Sequence, residues 1–129
     1  MQMDFIKYLE EKKAQKKIDK LSKKYSGKKI ILYGAGHFAG VILENYDLSK
    51  LNIIAFSDMK YASKTEFLGY KVLDPYTLKD IDFDVLLIAT YKDLDTLDFF
   101  EDNLFKNCKP KFKVDTLIRL SFWEYMKGI

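Results

Sequence analysis

Lys29-Ile-Ile-Leu-Tyr-Gly-Ala-Gly-His-Phe-Ala-Gly-Val-Ile-Leu43 is the stretch whose reading decides the fold. Its apolar opening, Ile30 to Tyr33, is too short for a helix and reads as a buried strand. Gly34-Ala35-Gly36 interrupts it, and Phe38, Val41 and Ile42 then recur at helical spacing. The order is therefore strand, tight turn, helix, with the spacing G-x-G-x-x-A. In a dinucleotide-binding turn the first glycine makes the bend and the second lets a phosphate approach the backbone. The third small residue lets the helix pack close to the strand. Gly34, Gly36 and Ala39 fit those three places, and the helix start offers unpaired N–H groups to an anion.

Downstream, Leu51 to Phe56 reads as a second strand closed by Ser57-Asp58. Asp58 stands 22 residues past Gly36, close to where such folds place the acid that accepts from a ribose hydroxyl. Residues 59–68 are polar and aperiodic and read as a loop or a short turn of helix. Gly69 to Leu73 reads as a short strand. Asp74-Pro75 starts a short helical turn with aspartate as cap and proline at its first position. Val85-Leu-Leu-Ile-Ala89 is the most hydrophobic run, as expected of a central parallel strand covered on both faces. Thr90-Tyr91-Lys92 follows at its carboxyl end, the side on which open α/β sheets bind ligands. A helix over 93–107 carries Leu94, Leu97, Phe100, Leu104 and Phe105. A strand over 111–114 follows, and Asp115 is read as the cap of an apolar last helix over 116–127.

Upstream, residues 3–25 read as a first helix with Phe5, Leu9, Ile18 and Leu21 on its apolar stripe. Its polar middle, Glu10 to Lys17, is either solvated or a break in the helix, and Ser26-Gly27 stops it. Residues 1–29 hold ten lysines against four acids, a balance of +6, whereas the remaining twelve basic and fifteen acidic residues give −3. The lysines are not interleaved with arginine or exposed aromatics, so they read as a solvated, salt-bridge-laced face rather than a nucleic-acid contact. The longest apolar run is far below the ~20 residues that span a bilayer, and one cysteine, Cys108, allows no internal disulfide. The expectation is a soluble cytoplasmic protein with no membrane span. It is divided into a basic helix over 1–28 and a nucleotide-binding domain over 29–129.

Five strand-like runs separated by helices, with the glycine turn after the first, predict an α/β fold. The expected architecture is a Rossmann-like three-layer domain with a parallel sheet in the order 3-2-1-4-5. With Lys29 to Gly36, Ile54-Ala-Phe-Ser-Asp58, Phe67-Leu-Gly-Tyr-Lys-Val-Leu-Asp-Pro75 and Asp84 to Thr90, residues 28–107 resemble a known family. It is the small Rossmann-like sugar-nucleotide-binding domain of bacterial surface-polysaccharide proteins. Such domains occur at the amino end of sialic-acid and bacillosamine-type sugar acetyltransferases, and in capsule epimerase and sugar methyltransferase fusions. The resemblance implies that Gly34, Gly36 and the His37 and Phe38 amides face a diphosphate. It also implies that Asp58 lies near a nucleoside and that Ala89 and Thr90 border the base. Histidine comes one residue earlier than in the acetyltransferase domains, and the β-helix repeats that transfer acetyl groups are missing.

No Tyr-x-x-x-Lys pair follows the fourth strand, and the match at Tyr8 to Lys12 precedes the glycine turn, the wrong place for short-chain dehydrogenase or epimerase chemistry. His37 and Cys108 lack partners at metal-ligand spacing. His37 is the lone acid/base candidate, and Tyr91 and Lys92 stand where a ligand could touch them. The expected function is nucleotide or nucleotide-sugar binding in glycan biosynthesis, without catalytic machinery, with a UDP-sugar or NAD as ligand. Asp58 disfavours the 2′-phosphate of NADP. The alternatives are a part of an NAD-dependent sugar-nucleotide oxidoreductase or epimerase, and an interaction domain with a vestigial pocket. A homo-oligomer or partner enzyme would be met through the terminal helices.

Overall fold

The computed structural model describes residues 5–106 and 109–118. Every side chain of β1 (Ile30–Tyr33) and β5 (Val85–Ile88) is buried, because these neighbouring strands are covered on both faces. Successive residues point to opposite sides of the sheet. Ile30, Leu32, Val85 and Leu87 meet α1 (Phe5–Glu11), α2 (Ala14–Lys24) and α3 (His37–Asn45) in one core. Ile31, Tyr33, Leu86 and Ile88 meet Leu78, Phe100 and Phe112 in the other. The unbroken apolar runs follow from this two-sided cover.

The sheet corrects the expected architecture. It has six strands in the order β3-β4-β2-β1-β5-β6, with β2 at Ile53–Ser57, β3 at Glu66–Phe67, β4 at Tyr70–Leu73 and β6 at Lys113–Thr116. It is mixed, because β3 runs antiparallel to β4 while the other pairings are parallel. The all-parallel, five-stranded Rossmann-like order 3-2-1-4-5 is therefore wrong. The cause is a hairpin that starts inside the stretch read as a loop or a short turn of helix. Phe67 pairs with Tyr70 across a two-residue reversal, Leu68 (φ 49°) and Gly69 (φ 85°). Two positive φ values are what a tight hairpin turn needs, but leucine is not a turn residue and a two-residue strand has no readable period.

The N-terminal segment is two helices, broken within its polar middle. Leu9 and Ala14 are both buried, yet five residues of straight helix would turn Ala14 about 140° away from Leu9. Lys13 resolves the mismatch by taking a left-handed conformation at φ 55°. Leu9 and Ile18 are fully buried in the sheet core, so α1 and α2 pack as part of it. Lys17 is held below the usual lysine range by burial and by Lys12 and Lys20, so this face is crowded with like charge.

Asp115 lies within β6 and caps no helix; its carboxylate accepts from the Tyr25 hydroxyl and from Lys24 Nζ at 3.2 Å. Burial pushes the Asp115 carboxyl up. The bonds from Tyr25, the Thr116 N–H and Lys24 outweigh that and hold it below the usual range. Of the helix expected over 116–127, Thr116 belongs to β6 and residues 119–127 lie outside the described residues. Asp74 does cap its turn, accepting from the Tyr76 N–H at 2.9 Å ahead of a 3-10 turn over Pro75–Asp80. The helix expected over 93–107 is α4 (Asp93–Phe99) continued by a π-helical turn over Phe100–Leu104; residue 107 lies outside the described residues. Among the described residues no helix is long and apolar enough to cross a membrane.

Candidate functional site

β1 delivers the chain to Gly34, whose φ of 112° suits only glycine. A Cβ at Gly34 would lie 2.9 Å from Thr90 Cγ2 and 3.1 Å from the Ala89 carbonyl. Ala89 and Thr90, expected to border a base, form the surface against which the turn packs. The Thr90 hydroxyl is shared with Thr96 Oγ1 at 2.8 Å and faces α4.

Asp58 also reaches the turn, in a role the sequence did not announce. Its Oδ2 accepts the Ala35 N–H at 2.8 Å and its Oδ1 accepts the Lys60 N–H at 2.9 Å. The carboxylate expected beside a ribose clamps the glycine turn onto the end of β2. From the same loop Lys64 Nζ donates to the Ala35 carbonyl at 2.8 Å and lies 5.2 Å from the Phe67 ring centre. One peptide segment is thus gripped from both sides. Lys64 was missed by sequence reasoning, since only the unforeseen hairpin brings it back over the turn.

Gly36 is the N-cap of α3, with an ordinary φ of −115° and no side-chain cap. A Cβ there would meet nothing within 4 Å. No hydrogen-bond acceptor among the described residues takes the His37, Phe38 or Ala39 N–H groups. His37 is exposed on this first turn. Phe38 contributes only its backbone, because its ring is buried edge-on against Phe5 and Tyr91. Beside this helix start lies a cleft of about 280 Å³, lined by Gly36, His37, Gly40, Lys64, Phe67 and Leu68, with Glu44 also lining it.

The other concavities offer less. A larger one of about 620 Å³ lies between α4 and β6 over Leu97, Phe100, Phe105 and Val114, remote from the glycine turn. On the far side of the turn Tyr33, Met59, Thr96 and Phe99 border about 250 Å³. Tyr91 joins Phe5, Tyr8 and Phe38 in an aromatic cluster under α1, and Lys92 is exposed just before α4. Among the described residues no three His, Cys, Asp or Glu side chains converge to hold a metal ion.

The C2185-like N-terminal family matches residues 26–97, more than half of the 129-residue chain. The chain belongs to the C2185-like N-terminal family. No curated protein matches it at a significant level. The C2185-like segment contains β1, the glycine turn, α3, Asp58, Lys64, the β3–β4 hairpin and β5, so the whole candidate site falls within it. Helices α1 and α2 and strand β6 lie outside.

Proposed function

We propose that this C2185-like domain binds a nucleotide or nucleotide-sugar through its phosphate, in the cleft between the start of α3 and Lys64. One observation carries the reading: Gly36 leaves the helix N-terminus uncapped where nothing in the fold requires glycine. Serine, threonine, aspartate or asparagine would cap that position more favourably. Glycine instead leaves the first-turn N–H groups open and lets an anion approach the backbone. Lys64 uses one N–H on the Ala35 carbonyl and keeps two donors for an incoming phosphate. Asp58, already engaged twice, fixes the turn and would meet a ribose hydroxyl only with its remaining lone pairs. A UDP-sugar and NAD are the leading ligands. The resemblance to sugar-nucleotide-binding domains is the reason to seat the protein beside a glycan-biosynthesis enzyme, supplying binding rather than chemistry.

Thermal stability with UDP-sugars, NAD, AMP and coenzyme A, each at millimolar concentration, tests this directly. A dissociation constant of ~10 μM gives about 2.7 kcal/mol of stabilisation at a hundredfold excess. A response to UDP compounds supports the nucleotide-sugar reading; a response to NAD with sugar turnover would move the protein to the oxidoreductases. Gly36→Val fits the extended backbone at 36 and should leave the melting temperature nearly unchanged. Its side chain would occupy the space a phosphate needs, and binding should fall by about a hundredfold or more, the loss of roughly 3 kcal/mol of anion contacts. Binding that survived Gly36→Val would place the ligand elsewhere.

A further inference from the structure

Resting on that phosphate site, the geometry points to the tip of the β3–β4 hairpin as a platform for the aromatic base of the bound nucleotide. Leu68 carries the argument. It is a bulky residue held at φ 49°, a backbone region that side chains other than glycine, asparagine and aspartate rarely occupy. It is also 48% exposed and belongs to neither core. Neither the turn nor the core explains a leucine here, and strained positions of this kind gather where ligands are held. What Leu68 does line is the cleft beside α3.

Phe67 stands next to it as a fixed wall. Its ring is braced edge-on by Phe56 at 5.1 Å, and Gly40 lets it come within 3.7 Å of where a Cβ would sit. Gly36, Gly40 and Glu44 recur at intervals of four along α3, so all three face the cleft across about 12 Å of helix. The cleft therefore runs from a positive end, the open helix start and Lys64, past an apolar middle to the Glu44 carboxylate. A nucleoside monophosphate has the same sequence of chemistry: phosphate, a flat ring with apolar faces, and N–H groups on the ring edge. At about 280 Å³ the space is just below the ~300 Å³ at which drug-sized pockets begin, which suits one nucleotide moiety of a ligand. Phosphate affinity would come from the α3 end, and selectivity for a base from Phe67, Leu68 and Glu44.

Dissociation constants for AMP and for ribose 5-phosphate, which lacks the base, separate the two ends of the cleft. Stacking of this kind predicts that AMP binds at least about tenfold more tightly than ribose 5-phosphate. Leu68→Gly relieves the strained backbone, so the melting temperature should hold or rise. The AMP preference should shrink to about threefold or less, with ribose 5-phosphate affinity unchanged. Leu68→Asn, whose side chain also tolerates positive φ, should behave alike and guards against an effect peculiar to glycine. If both compounds bind the natural protein without preference, or if the preference survives both variants, the base platform is wrong and the phosphate site stands. If neither compound binds at millimolar concentration, the phosphate site falls and the platform with it.

Discussion

Gly34→Ala is expected to destabilise the fold by about 3–5 kcal/mol, combining backbone strain with forced overpacking. For a chain of this length the melting temperature should drop by roughly 12–20 °C. Both terms act at one atom. At φ 112° any Cβ is strained, and this one would press within 2.9 Å of Thr90 Cγ2 and within 3.1 and 3.2 Å of the Ala89 carbonyl oxygen and carbon. Only the first contact is with a side chain. Thr90→Ser keeps the hydroxyl that bonds Thr96 and removes Cγ2, so in the Gly34→Ala background it should restore a minor part of the loss. The strain and the contact with the Ala89 backbone remain. Chemical denaturation of the two single variants and the double variant measures the split. A loss below about 1 kcal/mol for Gly34→Ala would mean that the β1–β5 approach is looser than its geometry implies.

The second large effect appears at alkaline pH. Tyr33 is 8% exposed, with its ring edge-on to Phe100 at 4.7 Å. Burial, then the Asp58 charge and Tyr76, push its hydroxyl up to about 12, partly offset by a hydrogen bond from the Met59 backbone. Tyr8 is also pushed up, by burial first and then by Tyr91 and Asp93. In the unfolded chain both phenols titrate near 10. The folded state therefore retains protons that the unfolded state releases. The stabilisation is complete below pH 10, falls as pH rises beyond it, and is lost for Tyr33 above about 12. Two pKa units correspond to about 2.7 kcal/mol for Tyr33, and Tyr8 adds a loss of the same sign. Stability measured by denaturant should be level from neutral pH to just below 10 and then fall steeply. Tyr8→Phe should soften that fall. It should also raise stability near neutral pH by about 1 kcal/mol, because the Tyr8 hydroxyl is buried with no hydrogen-bond partner among the described residues. Native-state tyrosine absorbance that titrated wholly near 10 would overturn the assignment.

The parts of this fold that could be read from the sequence are those where one local rule acts alone. The apolar runs at 30–33 and 85–88 have no polar face, which leaves two-sided burial as their explanation. Gly34 and the Asp74-Pro75 pair announce backbone geometry directly. The parts that could not be read depend on residues brought together from far along the chain. Asp58 looks the same whether it faces a ribose or the Ala35 N–H, and only the placement of the β2 loop decides. Lys64 is one of many lysines until the hairpin returns it to the turn, and the hairpin hides behind a leucine in a glycine's conformation. Asp115 precedes an apolar stretch as a cap would, but partners on α2 and at its end draw it into a strand.

The bonds from Lys24 and Tyr25 to Asp115 have a practical consequence for recombinant work, because they tie the end of α2 to β6 across some ninety residues. A polypeptide trimmed to the family boundaries, 26–97, would lose α1, α2 and β6 together. The Ile30 and Leu32 face would be uncovered, and Val85–Ile88 would become an unpaired apolar edge, the kind of strand that recruits other chains into aggregates. The homologous segment thus leaves out elements that complete the sheet and its cover, and ligand measurements call for a chain that keeps α1, α2 and β6.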